Sequence, residues 1–239
     1  MRIAVAIELP APATAIHART GVRPQSAAGG HELGSDPNRR IGVLISGRGS
    51  NLQALIDAIA DGRLRAQIAV VISNRADAAG LQRARTAGIP TVTLPHRDYP
   101  SRDAFERALV AELRAHDVAL VCLAGFMRLL GRTFLDAFPH AILNIHPSLL
   151  PAFPGVDAQQ QAWTHGTKVA GATVHLVTGE LDGGPIVMQR AVTVEDDDTA
   201  ETLAARILDV EHQIYPAAAG LVLDGGWTIE GRRFCRGRR

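Results

Sequence analysis

Residues 41–62 read IGVLISGRGSNLQALIDAIADG, and this stretch decides the fold. Its opening, IGVLIS, is a short apolar run; glycines follow at 47 and 49; the remainder carries apolar side chains at Leu52, Leu55, Ile56 and Ile59. The first pattern is that of a buried strand, the last that of a helix with one apolar face. Strand, tight loop and helix in succession form the unit of a parallel α/β layer.

Toward the C-terminus the unit repeats. IAVVIS (68–73) is a second strand, and residues 79–87 a helix stopped by Gly88 and Pro90. TVTL (91–94) is a third strand. Ser101 can cap a helix reaching about His116, with Phe105, Ala108, Leu109 and Leu113 on its inner face. VALVCLAG (118–125) is a fully apolar strand, as expected in a sheet covered on both faces. A helix is expected over 129–138. AILNIHPSLL (141–150) is the fifth strand, ended by Pro147. The expectation is a Rossmann-like α/β fold, mostly parallel, with helices on both faces and right-handed crossovers.

The second half changes style. VAGATVHLV (169–177) alternates, ELDGGP (180–185) is a turn, and IVMQRAVTV (186–194) returns, which together make a hairpin. Asp198 and Glu201 have capping-box spacing before a long helix whose apolar face is Leu203, Ile207, Val210 and Ile214, with a kink or restart expected at Pro216. Residues 1–40 are rich in Pro, Ala, Gly and Ser, lack a secretory signal pattern, and are expected to be a mobile extension. The folded domain is expected over 41–231, in halves 41–146 and 147–231, with 232–239 a solvated basic tail.

Composition narrows the classes. With 239 residues, 46% hydrophobic, the chain has an ample core, and a net charge of +1 offers no field to recruit nucleic acid or an anionic membrane. Cys122 and Cys235 supply neither a disulfide framework nor metal-ligand spacing. No apolar run has the length of a membrane span. A reducing, cytoplasmic setting is expected.

The chemistry-bearing residues lie where strands end. Asn144 and His146 flank Ile145, so on an extended backbone both side chains share a face at a strand's carboxyl end, where open α/β sheets bind ligands. Taken alone, they suit slightly better a strand end satisfying nearby backbone. The loop GRGSN (47–51) is neither G-x-G-x-x-G nor a P-loop, which disfavours a dinucleotide and a triphosphate and favours one phosphomonoester on the helix start; by itself it also fits an ordinary βα turn. Arg128 follows the fourth strand and can hold a carboxylate or heterocycle edge, or simply face solvent. Asp182 is a turn residue, His175 a core or supporting histidine, and Arg102 and Glu211, taken singly, are helix-surface charges. Together they suggest a reaction: Asn144 and His146 donate to an oxygen that becomes negative, and Asp182, if adjacent, accepts a proton from a nucleophile, directly or through water. No serine or cysteine has a partner base, so an external amine attacks directly, which is acyl transfer.

GVLISGRGSNLQALIDA, VVISNRADAAGLQRARTAGI, LAGFMRLL, LNIHPSLLPAFPG, GATVH, ELDGGPI and EHQIYP follow one another over 41–231, and this series resembles the phosphoribosylglycinamide formyltransferases. The resemblance implies transfer of a formyl group from 10-formyltetrahydrofolate, as co-substrate, to the amine of 5-phosphoribosylglycinamide in de novo purine synthesis. Under it Asn144, His146 and Asp182 match the catalytic trio, Gly49, Ser50 and Asn51 the phosphate loop, and Glu211 the group holding the ribose hydroxyls. Arg102, Met127, Arg128, Leu129, Leu130, Asn144, Val177, Thr178, Gly179, Glu180, Leu181 and Asp182 match the folate site. The half 41–146 then binds phosphate and 147–231 is the folate side. The resemblance also implies small-molecule substrates, no metal, no nucleic acid or membrane partner, and a monomer or homodimer.

The sequence departs from the family pattern in three places. Residues 157–159 are Asp, Ala and Gln where members often carry His and a further polar residue; Leu208 replaces a polar or basic group; Arg48 sits mid-loop. Related activities are weighed against this. Formyltetrahydrofolate deformylase, with water in place of the amine, is expected to bring an N-terminal regulatory domain larger than residues 1–40 allow. Methionyl-tRNA formyltransferase is expected to carry a basic C-terminal domain. A non-catalytic nucleotide-binding module has no need of oxyanion donors opposed by a carboxylate.

Overall fold

The computed structural model describes residues 37–237, so the expected extension lies outside the described residues up to position 36. Its strands are β1 (Arg40–Ile45), β2 (Gln67–Ser73), β3 (Thr91–Thr93), β4 (Leu120–Leu123), β5 (Ile142–His146), β6 (Val169–Leu176), β7 (Ile186–Thr193), β8 (Trp227–Glu230) and β9 (Arg233–Arg236). The helices are α1 (Ser50–Ala60), α2 (Ala79–Thr86), α3 (Arg102–Ala115), α4 (Arg132–Leu135), α5 (Ala158–His165) and α6 (Ala200–Asp224).

All nine strands join one sheet in the order β3-β2-β1-β4-β5-β6-β7-β9-β8. The first five are parallel; β6 pairs antiparallel with β5 and with β7, as the hairpin pattern anticipates. Period-2 alternation divides the core. Ile41, Val43 and Ile45 face a cluster with Leu52 and Leu55 of α1 and Leu203, Ile207 and Ile214 of α6, whereas Leu44 faces Phe105, Leu109 and Leu113 of α3. A methyl at Gly42 would lie 2.4 Å from Leu113 Cδ2, so the bare backbone of β1 lets α3 settle on the sheet. Strand order reverses between β1 and β4, which opens a crevice at their carboxyl ends.

Four local expectations are corrected. The helix expected over 129–138 is only the four residues of α4, because Gly131 is extended and its N–H is drawn to the buried Glu106 Oε1 (2.6 Å). The capping box is Thr199 with Thr202, not Asp198 with Glu201: Thr202 N–H donates to Thr199 Oγ1 (3.2 Å) and Thr199 N–H to Thr202 Oγ1 (2.9 Å). Asp198 instead accepts from Arg206 Nη1 and Nη2 at 2.6 and 2.9 Å, which holds its carboxyl well below the usual carboxylate range. Pro216 does not restart α6, whose 25 residues continue through it. Arg233–Arg236 is a strand rather than a solvated tail; it pairs with β8 and, at Ile186↔Arg233, with β7.

The cap has a measurable consequence. Thr199→Ala is expected to lower stability by about 1 kcal/mol, since the Thr202 N–H loses its side-chain acceptor. Urea unfolding should show a lower midpoint at unchanged slope; an unmoved midpoint would count against the cap. Among the described residues no helix is long and apolar enough to cross a membrane.

Candidate active site

The loop after β1 forms the first wall of the crevice. Gly49 caps α1 at φ 72°, and a methyl there would fall 2.6 Å from Gly80 Cα, so both conformation and space demand glycine. The loop is pinned from α2: Gly80 N–H donates to Gly47 O and Arg83 Nε to Arg48 O, each at 3.0 Å. The first return bond of α1 is Gln53 N–H to Gly49 O, so the N–H groups of Ser50, Asn51 and Leu52 have no helical acceptor and suit an anion.

Asn51 and Glu211 meet behind this loop. Asn51 Nδ2 donates to Glu211 Oε2 at 2.6 Å, while Asn51 Oδ1 is buried without a partner among the described residues. Burial pushes the Glu211 carboxyl up, against the opposing pull of Asn51 and of the Arg48 charge. A carboxyl raised in the folded state weakens folding as pH climbs from its unfolded value through its folded one. Glu211→Gln should therefore gain melting temperature over wild type at pH 8 but not at pH 4; a gain equal at both would contradict the burial argument.

The trio forms around β5. In register with β6, Asn144 stands opposite His175 and His146 opposite Thr173. Asn144 Nδ2 lies 3.1 Å from His175 Nε2. Asp182 arrives from the β6–β7 loop with its backbone left-handed (φ 48°), a conformation that aspartate tolerates better than most residues. Its carboxylate accepts from Gly155 N–H at 2.8 Å and faces His146 Nδ1 at 3.5 Å and His175 Nε2 at 3.6 Å. Burial alone would push the Asp182 carboxyl up; His175, the Gly155 N–H and the His146 charge outweigh it and hold the carboxyl below its ordinary value. The base of this loop closes through Leu176 N–H to Pro185 O (2.9 Å), and a methyl on Gly184 would sit 1.8 Å from Leu176 O.

The His146 ring has partners on both sides: its Nε2 donates to Phe153 O at 2.8 Å and its Nδ1 faces Asp182. The Phe153 carbonyl and Gly155 N–H belong to the loop after β5 and were not among the sequence candidates; PAFPG, with two prolines and a glycine, signals a shaped turn but no partner.

The second wall follows β4. Met127 is 73%, Leu129 66% and, across the crevice, Leu181 57% exposed, a concentration of large apolar side chains that suits a flat ligand. Leu130 and Val177 pack against the α3-side core, and Arg128 is exposed. Arg102 Nε pairs with Glu106 Oε1 at 2.8 Å, the atom that also holds Gly131 N–H, so Arg102 lies against the end of this wall. Thr178, Gly179 and Glu180 sit exposed on the rim, and Glu180 pairs outward with Arg232 (3.1 Å). A cavity of about 300 Å³, lined by Ser50, Gln53, Arg83 and His212 among others, runs along α1 from the loop; the trio does not line it. Among the described residues no group of three or more His, Cys, Asp or Glu side chains could hold a metal ion.

A doubly wound sheet with an anion-suited loop on one side of its crevice and an amide, two imidazoles and a carboxylate on the other defines a group-transfer enzyme of the Rossmann-like class. Comparison gives the family: the formyl transferase model matches residues 39–219, and the chain belongs to that family, alongside phosphoribosylglycinamide formyltransferases. It is 46% identical to the Escherichia coli (strain K12) phosphoribosylglycinamide formyltransferase over 183 residues, 77% of this chain and 86% of that protein. It is 48% identical over 186 residues to the trifunctional purine biosynthetic protein adenosine-3 of Homo sapiens, matching 78% of this chain but only 18% of that longer protein. The solved glycinamide ribonucleotide transformylase 1 of Symbiobacterium toebii superposes with a TM-score of 0.84 at 54% identity, covering 89% of this chain and all of that one. These likenesses agree with the resemblance read from the motifs and with the Rossmann-like fold.

Proposed function

We propose that the chain transfers the formyl group of 10-formyltetrahydrofolate to the amine of 5-phosphoribosylglycinamide. The observation that carries this reading is the Asp182 carboxylate, ionised and facing two imidazoles beside Asn144, across the crevice from the phosphate-suited loop. In this reading the phosphate rests on the N–H groups of Ser50, Asn51 and Leu52, and the ribose hydroxyls meet Glu211 and the unpartnered Asn51 Oδ1. The pteridine lies between Met127–Leu130 and Val177–Asp182, with Arg102 toward its acidic tail.

The substrate amine attacks the formyl carbon, and the carbonyl oxygen takes up negative charge. Asn144 donates to that oxygen. His146 joins it when the oxygen displaces Phe153 O as the acceptor of Nε2. Asp182 accepts the amine proton, directly or through water, and returns it to the folate nitrogen as the C–N bond to the folate breaks.

Glycinamide riboside, which lacks the phosphate, tests the loop. Its kcat/KM is expected to be lower by about a hundredfold or more, since several hydrogen bonds to a charged group are lost. Equal use of riboside and ribotide would overturn the phosphate assignment.

A further inference from the structure

Beyond Leu44↔Leu123 the β1–β4 ladder has no further Cα pairs, yet the two chains stay joined across the crevice floor. Ser46 N–H donates to Gly125 O at 3.1 Å, and Met127 N–H donates to Ser46 Oγ at 2.9 Å. Ser46 Oγ–H in turn donates to Asn74 Oδ1 at 2.6 Å, and Asn74 Nδ2 lies 3.3 Å from His96 Nδ1. Ser46 is 6% and Asn74 5% exposed, and the bond between them is buried, where an unmade one is costly; the bonds to Met127 and His96 are part-buried. Gly125, at φ 75°, turns the chain so that the Met127 backbone points down to Ser46 while its side chain stays open to solvent.

We infer that Ser46 and Asn74 are a positioning pair for the pteridine wall: Asn74 orients the Ser46 hydroxyl, and Ser46 fixes the backbone of Met127. This rests on the functional reading above. Neither side chain is expected to touch substrate. Ser46 also immediately precedes the loop at Gly47, but that loop is held independently by Gly80 and Arg83, so loss of the pair should fall on the folate side alone.

The test is steady-state kinetics and equilibrium titration with tetrahydrofolate for Ser46→Ala, Asn74→Ala and Asn74→Asp. Ser46→Ala is expected to weaken tetrahydrofolate binding and raise the folate KM about tenfold, as loss of the acceptor that anchors the Met127 N–H implies. The ribotide KM and kcat should stay within about twofold, since neither the loop nor the trio is altered. Asn74→Ala should follow Ser46→Ala, and Asn74→Asp, which keeps an oxygen for the Ser46 hydroxyl, should restore most of the affinity. A rise in both KM values together, a fall in kcat alone, or no change would overturn the pair's role, as would Asn74→Asp no better than Asn74→Ala. If Ser46→Ala does not fold, the two Asn74 variants decide. Wild-type protein that fails to bind tetrahydrofolate would overturn the functional reading and this role with it, whereas wild-type binding matched by Ser46→Ala overturns the role alone.

Discussion

Asp182→Asn is expected to lower kcat by about a thousandfold while leaving both KM values within a few-fold, because general-base catalysis by a positioned side chain contributes about 10²–10⁴. The amide nearly preserves volume, and its NH₂ or oxygen can still face Gly155 and the two imidazoles. What it lacks is a basic oxygen. The same substitution should register in stability. Asp182 is held below its ordinary value in the folded chain, so its ionised form stabilises the fold above the unfolded aspartate pKa, and that contribution is lost as pH falls through the folded value. Asp182→Asn should melt below wild type at pH 7, with the gap closing in acid. A gap that persists at low pH would show that lost packing, not charge, is responsible.

Asn144→Ala is expected to lower kcat by about 10²–10³, the usual cost of one oxyanion donor. The loss should appear in kcat and kcat/KM alike, because the oxygen carries full charge only in the transition state. Steady-state kinetics on the purified variant checks this; a rise in folate KM at constant kcat would instead make Asn144 a binding residue. Two placements favour the first outcome. Asn144 is the central residue of β5, which is buried in the sheet and therefore rigid, and its Nδ2 lies 3.1 Å from His175 Nε2, so the amide has a preferred orientation. His175, read from its alternation as a core or supporting histidine, touches both Asn144 and Asp182 and so occupies the second of those roles.

The parts of the fold legible in the sequence are those with one strong local signal. β1, β2 and β4 are apolar runs too short for helices, α1 and α3 carry clear apolar stripes, and β6–β7 alternate around a glycine turn. α5 was missed because it buries only Ala158 and Ala162, and AQQQAWTH has almost no stripe. β8–β9 give a weak signal: WTIE alternates before Gly231 at φ 61°, but RFCR does not, and its arginines read as a tail. At the candidate site, Asn144 and His146 were readable from strand periodicity because both sit on one strand. The contacts of Asp182 with Gly155 and of Ser46 with Met127 join segments far apart in the chain. No local pattern encodes such loop–loop closures; they follow from strand order.

The most direct test of the whole account is tetrahydrofolate release from 10-formyltetrahydrofolate by the purified chain, with and without 5-phosphoribosylglycinamide. The account predicts release that requires the ribotide, proceeds one-for-one with its formylation, and collapses in Asp182→Asn. Release at the same rate without the ribotide would contradict it, showing that water is the acceptor and the chain a hydrolase.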